Sequence, residues 1–251
     1  MNRFRRAVLA IACVGAFLTP ALAQELSPGQ RTEIEAIIKD YLMKNPGLIK
    51  EALEELDRRQ TAEAEAKAKV TISTHADLIF RSPDDLVLGN PKGSVTIVEF
   101  FDYNCGYCKK ALPEIAKLLA DDSDLRLVIK EFPILSPGSL VAAKAVLAAR
   151  QQDKHAALHE ALNQLPAQKD EASVMQVAQS VGIDLDRLRK DMENEAVTQV
   201  LQRTYQLAED LGINGTPSFL VDDNITPGYV PHEVLAKLVA GVRESGGCKV
   251  C

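Results

Sequence analysis

Apolar positions repeat with two different periods along this chain. Ile34, Ile37, Ile38, Tyr41 and Leu42 fall on one face of a helix that opens at Ser27-Pro28-Gly29-Gln30 and stops at Asn45-Pro46-Gly47. A second helix resumes with Leu48, Ile49, Ala52, Leu53 and Leu56. It passes into a charged, alanine-rich stretch from Asp57 to Val70, where helix propensity is high and large apolar surface is scarce. After Pro83, Gly89, Pro91 and Gly93 the pattern changes. Segments 94–101 and 125–132 are rich in Val, Ile, Leu and Phe and read as strands, with a helical period from Lys109 to Leu119 between them. Strand, helix, strand in that order predicts a parallel crossover.

Two short runs, 218–222 and 225–228, predict a hairpin around Asp223-Asn224, followed by a helix from about Pro231 to Val242. The intervening chain reads as helical over 140–150, 154–162, 171–181, 185–194 and 197–211, with Pro166 and Gly182 as breaks. The expected fold class is therefore α/β, with a central mixed β-sheet over residues 85–243 interrupted by a helical insertion at 139–196. A helical extension at 24–75 precedes it and a tail at 244–251 follows. The short apolar stripes of the extension are marginal alone and predict burial against another surface, so we expect a homo-oligomer.

The first residues read as a leader. Arg3, Arg5 and Arg6 precede an apolar run from Ala7 to Leu18, and Ala21-Leu22-Ala23 supplies a small-residue cleavage site. The expectation is an export signal over residues 1–23, cleaved near Ala23. Its apolar run is too short to cross a bilayer as a helix. The net charge of -6, from 29 basic and 35 acidic residues, speaks against a nucleic-acid partner, because phosphate binding needs concentrated positive charge. Losing the leader removes three Arg and no acid, which moves the balance further from that class.

Of five cysteines, Cys13 lies in the leader; Cys105, Cys108, Cys248 and Cys251 form two local CxxC pairs. A strand delivers Cys105 to the start of a helix, where free backbone N–H groups and the helix dipole favour a thiolate. Cys108 follows on the same side of the first turn, close enough to close a disulfide. Cys105 is expected to be the exposed attacker and Cys108 the resolving thiol. The competing readings are an inert bridge or a copper- or zinc-binding scaffold built from both pairs. Neither pair is flanked by His. His155 and His159 share a helix face, but no HExxH motif completes them, and no metal or other cofactor is expected. The second pair, after Gly246-Gly247, is left open between a quiet disulfide, a redox accessory and a metal contact.

The segment Glu99-Phe100-Phe101-Asp102-Tyr103-Asn104-Cys105-Gly106-Tyr107-Cys108, together with Glu131-Phe132-Pro133-Ile134 and Gly215-Thr216-Pro217-Ser218-Phe219, resembles the periplasmic, thioredoxin-like thiol-disulfide oxidoreductases of the DsbA type. The helical extension is similar to that of ScsC and Com1-like proteins. The resemblance implies a thioredoxin-like core in the periplasm and a cis Thr216-Pro217 bond beside Cys105. It also implies a buried acid at Glu99 that moves a proton for Cys108. Gly106, Tyr107, Thr216 and Pro217 would meet the substrate. Gly106-Tyr107 departs from the Pro-His pair of the archetypal oxidase, and Thr216 is similar to the polar residue of isomerases and reductive relatives. The implied activity is disulfide isomerase or reductase, with a general disulfide oxidase as the alternative. The implied partners are unfolded or wrongly bridged exported proteins and a membrane redox protein that reduces or reoxidises the pair.

Overall fold

The computed structural model describes residues 26–166 and 168–251; the expected export signal lies outside the described residues. The chain divides into two compact units, one ending at Arg58 and the other running from Arg59 to Cys251. α1 (Pro28–Lys44) begins at a capping box, in which Gln30 N donates to Ser27 Oγ (3.3 Å) and Ser27 N to Gln30 Oε1 (2.9 Å). α2 (Gly47–Thr74) restarts after the Asn45-Pro46 break. Most apolar residues of α1 and of the first part of α2 are exposed, among them Ile37 61%, Tyr41 58% and Leu53 60%, with Leu42 half-buried. α2 outlasts its apolar stripe because the alanine-rich run keeps helical propensity as far as Thr71 and Ile72, which are buried.

The larger unit holds α3 (Ala76–Phe80), β1 (Leu86–Gly89), β2 (Val95–Phe101), α4 (Gly106–Asp121) and β3 (Leu125–Glu131). After these come α5 (Pro137–Ala149), α6 (His155–Gln164), α7 (Glu171–Ser180), α8 (Leu185–Met192) and α9 (Glu195–Asp210). It closes with β4 (Ser218–Val221), β5 (Asn224–Pro227) and α10 (His232–Glu244). The sheet order is β1-β3-β2-β4-β5. β2 and β3 are parallel across the α4 crossover, and the other pairs are antiparallel. This is the expected mixed α/β sheet of a thioredoxin-like core. α3 and β1 are additions that the sequence pattern did not predict.

The sheet separates two apolar layers. Ile97 and Phe101 of β2 face α4 and the α5–α9 helices, whereas Val98 and Phe100 face Ile72, Ile79, Phe80 and Leu207. That alternation follows the period of two along a strand, and covering both faces leaves every β2 residue buried. Within the insertion, the small side chains of α5, including Ala142, Ala143, Ala145 and Ala149, are buried where neighbouring helices approach. The β4–β5 turn falls one residue earlier than expected. Asp222 takes the left-handed backbone (φ 53), which Asp tolerates, while Asn224 already pairs with Val221.

Candidate active site

Register brings the site together. Glu99 lies opposite Phe219 and Phe100 opposite Ser218, so the residues before β4 reach the loop that leaves β2. The Thr216-Pro217 peptide is cis. Cys105 occupies the N-cap of α4, with extended backbone angles, and its Sγ accepts from Cys108 N (3.1 Å) as a hydroxyl oxygen would at an ordinary helix start. The same thiol donates to the Thr216 carbonyl (3.2 Å). That contact corrects the expectation of an exposed attacker: Cys105 is only 4% exposed against 0% for Cys108, because the Thr216 loop covers its sulfur. The two exposed members of the motif are Gly106 and Tyr107, the latter 64% exposed.

Electrostatics separate the two thiols where exposure does not. The Cys105 thiol is lowered from 9.0 to about 6, first by the hydrogen bond with the Cys108 thiol. The Thr216 side chain and the amides of Cys108 and Tyr107 add to this against the opposing effect of burial. Cys108 is driven the other way, by burial first, then by its bond to Cys105 and by the Glu99 charge. Glu99 is fully buried, on the strand face shared with Phe101, and burial followed by the neighbouring Cys105 raises its carboxyl well above the ordinary carboxylate range. The arrangement favours a thiolate at Cys105 and a protonated thiol at Cys108, beside a buried carboxyl whose proton-holding is coupled to both.

The loop carrying Cys105 is fastened by residues that the sequence reading passed over. Asp102 accepts from Asn104 N (2.7 Å) and, through its other oxygen, from Ile134 N (2.9 Å) and Leu135 N (3.0 Å). Asn104 in turn accepts from Lys169 N (2.6 Å) and donates to Ser136 Oγ (2.8 Å) and Lys169 O (3.1 Å). An Asp two residues before an Asn, ahead of a helix start, is the Asx-turn signal that could have revealed them. Behind the loop, Tyr103 OH donates to Glu131 Oε1 (2.9 Å) and lies 2.7 Å from His159 Nδ1. All three are buried. Burial lowers His159 to about 4 and raises Glu131. His159 is thus a packed, neutral core histidine.

Cys105, Cys108, Glu99, Gly106, Tyr107, Thr216 and Pro217 converge on this one end of the sheet. Cys248 and Cys251 do not; they form a disulfide of their own beside Asp222, beyond the opposite end of β4. Among the described residues, no group of three or more His, Cys, Asp or Glu side chains is gathered for a metal. A scaffold made from both CxxC pairs therefore has no common site.

Residues 96–240 match the DSBA-like thioredoxin domain. The chain belongs to the DsbA-like thioredoxin family. Residues 30–63 match the N-terminal domain of the copper resistance protein ScsC. A thioredoxin-like oxidoreductase from Silicibacter pomeroyi is 46% identical with a TM-score of 0.66, covering 67% of this chain and 97% of that one. A linker-deleted variant of Proteus mirabilis ScsC is 27% identical with a TM-score of 0.66, covering 89% of this chain and all of that one. Among curated relatives, the Na(+)/H(+) antiporter NhaA 3 of Salinispora tropica is 29% identical over 66% of this chain. This DsbA-family chain spans only about a quarter of such a relative, 27% of its length. The family fold and the Cys105/Cys108 pair support a redox function in general terms.

Proposed function

We propose that this protein is an exported, periplasmic disulfide isomerase or reductase working through Cys105 and Cys108. The observation that carries the reading is the Cys105 sulfur at the N-cap of α4, held near a pKa of about 6 while Cys108 stays protonated. The Cys105 thiolate attacks a client disulfide, forming a mixed disulfide and releasing one client thiolate. In isomerisation, another client thiolate attacks that bond and Cys105 leaves, with no net change of redox state. In reduction, Glu99 in its ionised form, made the stronger base by its raised pKa, takes the Cys108 proton; Cys108 attacks Cys105 Sγ, and the client leaves reduced by two electrons. A membrane redox partner then returns the pair to its dithiol.

Two features favour isomerase or reductase over oxidase. A lowered attacking thiol stabilises the reduced form and raises oxidising power, and about 6 lies nearer the ~7 of thioredoxin than the ~3.5 of the strongest oxidase. The exposed apolar face of α1 and early α2, in the segment similar to the ScsC N-terminal domain, fits a homo-oligomer holding several active sites toward one misfolded client. Gly106, Tyr107 and the Thr216-Pro217 loop form the surface such a client meets, its extended chain pairing with the loop backbone.

The test is the reduction potential of the Cys105/Cys108 pair together with refolding of a scrambled multi-disulfide substrate. Cys105→Ser should abolish exchange, and Cys108→Ser should accumulate mixed disulfides on Cys105. Trapping of substrate on Cys108 overturns the assignment. A strongly oxidising potential with no unscrambling leaves the oxidase as the function.

A further inference from the structure

The second CxxC pair is built into the fold far from the first. β4 begins beside Pro217 and the Cys105 sulfur, runs to Val221, and is followed by Asp222, where the second pair docks. At ~3.3 Å per strand residue, the two pairs are separated by on the order of 13 Å. Exchange needs sulfur to meet sulfur, so Cys105 does not reach Cys248 or Cys251 of its own chain. Any redox traffic at the second pair is independent of the catalytic one.

Its surroundings are specific. The buried Asp222 carboxylate accepts from the amides of Lys249 (2.9 Å) and Val250 (3.3 Å). Arg81, the residue after α3, donates to the carbonyls of Val250 (3.0 Å) and Cys251 (2.7 Å), and its Nε binds Asp77 of α3 (2.7 Å). Val250 and Cys251 also pack on the apolar layer that contains Ile72 at the end of α2 and Ile79 and Phe80 of α3. One short loop thus holds the β4–β5 turn, the end of α3 and the last turn of α2 together. Gly246 and Gly247, both with φ 99, form the glycine hinge from which it hangs. Cys248 and Cys251 are partly exposed, so another protein's thiol can approach them.

We propose that Cys248–Cys251 is a second redox site, a reducible clip whose disulfide form fastens α3 and the end of α2 to the sheet and whose dithiol form releases them. The reactant is the dithiol of a protein reductant. Its thiolate attacks Cys251 Sγ, because Cys248 is the sulfur that faces a backbone amide as it leaves, and the Asp222 carboxylate, 3.3 Å from Cys248 Sγ, accepts its S–H once it is protonated. The sulfur–sulfur bond breaks and Cys248 leaves as a thiolate facing the Cys251 amide, which already lies 3.1 Å from its sulfur, and takes a proton from water. The reductant's second thiolate attacks its own sulfur in the mixed disulfide, and Cys251 leaves and is protonated. Two electrons pass to the pair, and the reductant ends as its disulfide. Without the sulfur–sulfur bond the Cys248–Cys251 turn is no longer closed covalently, and its carbonyls are free to leave Arg81.

The experiment follows the chain without its expected export signal (residues 24–251, so that Cys13 is absent) carrying Cys105→Ala and Cys108→Ala, in which only the second pair reacts, before and after incubation with reduced thioredoxin. Alkylation counted by mass reports reduction, and amide hydrogen exchange reports the fastening. The expected result is two alkylated thiols and at least tenfold faster exchange across 71–80, with β2 and β3 unchanged. A Cys248→Ala/Cys251→Ala chain with the catalytic pair intact should show the same acceleration without reductant. Equal protection of 71–80 in the oxidised, reduced and substituted chains overturns the clip. A pair left unalkylated at a potential that fully reduces Cys105/Cys108 in the parent protein overturns its assignment as a redox site.

Discussion

At Cys105 a sulfur takes the place of the oxygen that usually caps a helix, and its charge state becomes the variable that matters. A thiol lowered from 9.0 to about 6 is mostly thiolate at neutral pH. The rate of alkylation at Cys105 should therefore rise with pH to a midpoint near 6, while Cys108 stays unreactive through the same range. A single midpoint near 9 would remove the basis for assigning attack to Cys105. The linked effect on stability has a definite sign. The folded pKa lies below the ordinary value, so the contribution to the reduced fold is complete above about 9 and disappears as pH falls through about 6. Urea unfolding of the reduced parent against reduced Cys105→Ser should show that difference shrinking between pH 9 and 6. The identity of this cysteine was legible because a CxxC at a strand-to-helix junction has few other uses. Its low exposure was not, because the covering carbonyl belongs to Thr216, 111 positions away.

Among elements, those with a long apolar period were readable and those held by distant partners were not. α4, α9, β2 and β3 each carry enough periodic side chains to declare themselves. β1 is a four-residue edge strand ending at Gly89, and α3 has five residues, so both exist by virtue of packing against β3 and the second apolar layer. The joint between β2, β3 and α6 was equally hidden: Tyr103, Glu131 and His159 come from separate segments, and each looks unremarkable in its own. Their hydrogen bonds are buried, where losing one partner leaves another polar group unsatisfied. Tyr103→Phe keeps the ring packed between Phe101 and His159 but removes the hydroxyl that both Glu131 and His159 contact. It should destabilise the domain by about 1–3 kcal/mol. The denaturation midpoint of the oxidised protein measures this, and a midpoint equal to the parent's shows that the network contributes nothing. Because Tyr103 lies between Asp102 and Asn104 in sequence but its hydroxyl takes no part in their hydrogen bonds, the Cys105 titration should move little in the same variant.

For the whole molecule, the decisive quantity is the apolar surface that α1 and the first part of α2 leave uncovered. Ile34, Ile37, Ile38 and Tyr41 repeat at the spacing of one helix face, as do Ile49, Leu53 and Leu56, and all are at least 40% exposed. Fully burying such a side chain yields about 1.5–3 kcal/mol, so covering the exposed part of each yields on the order of 1 kcal/mol. Association itself costs roughly 4–15 kcal/mol, so one or two contacts cannot hold copies together, whereas both stripes buried at once can. That arithmetic makes oligomerisation depend on the entire first unit rather than on any single residue. Cutting after Arg58 removes both stripes and spares Thr71 and Ile72, which are buried in the larger unit. Light scattering should then find an oligomer for the mature chain and a folded monomer for the truncated one. Unscrambling of a multi-disulfide client should be lost, since it requires repeated engagement by neighbouring sites, whereas simple dithiol oxidation should persist because Cys105, Cys108 and the Thr216 loop are untouched. A mature chain that is monomeric at working concentration, or a truncated chain that still unscrambles, separates isomerase behaviour from this extension and leaves only the chemistry of the cysteine pair standing.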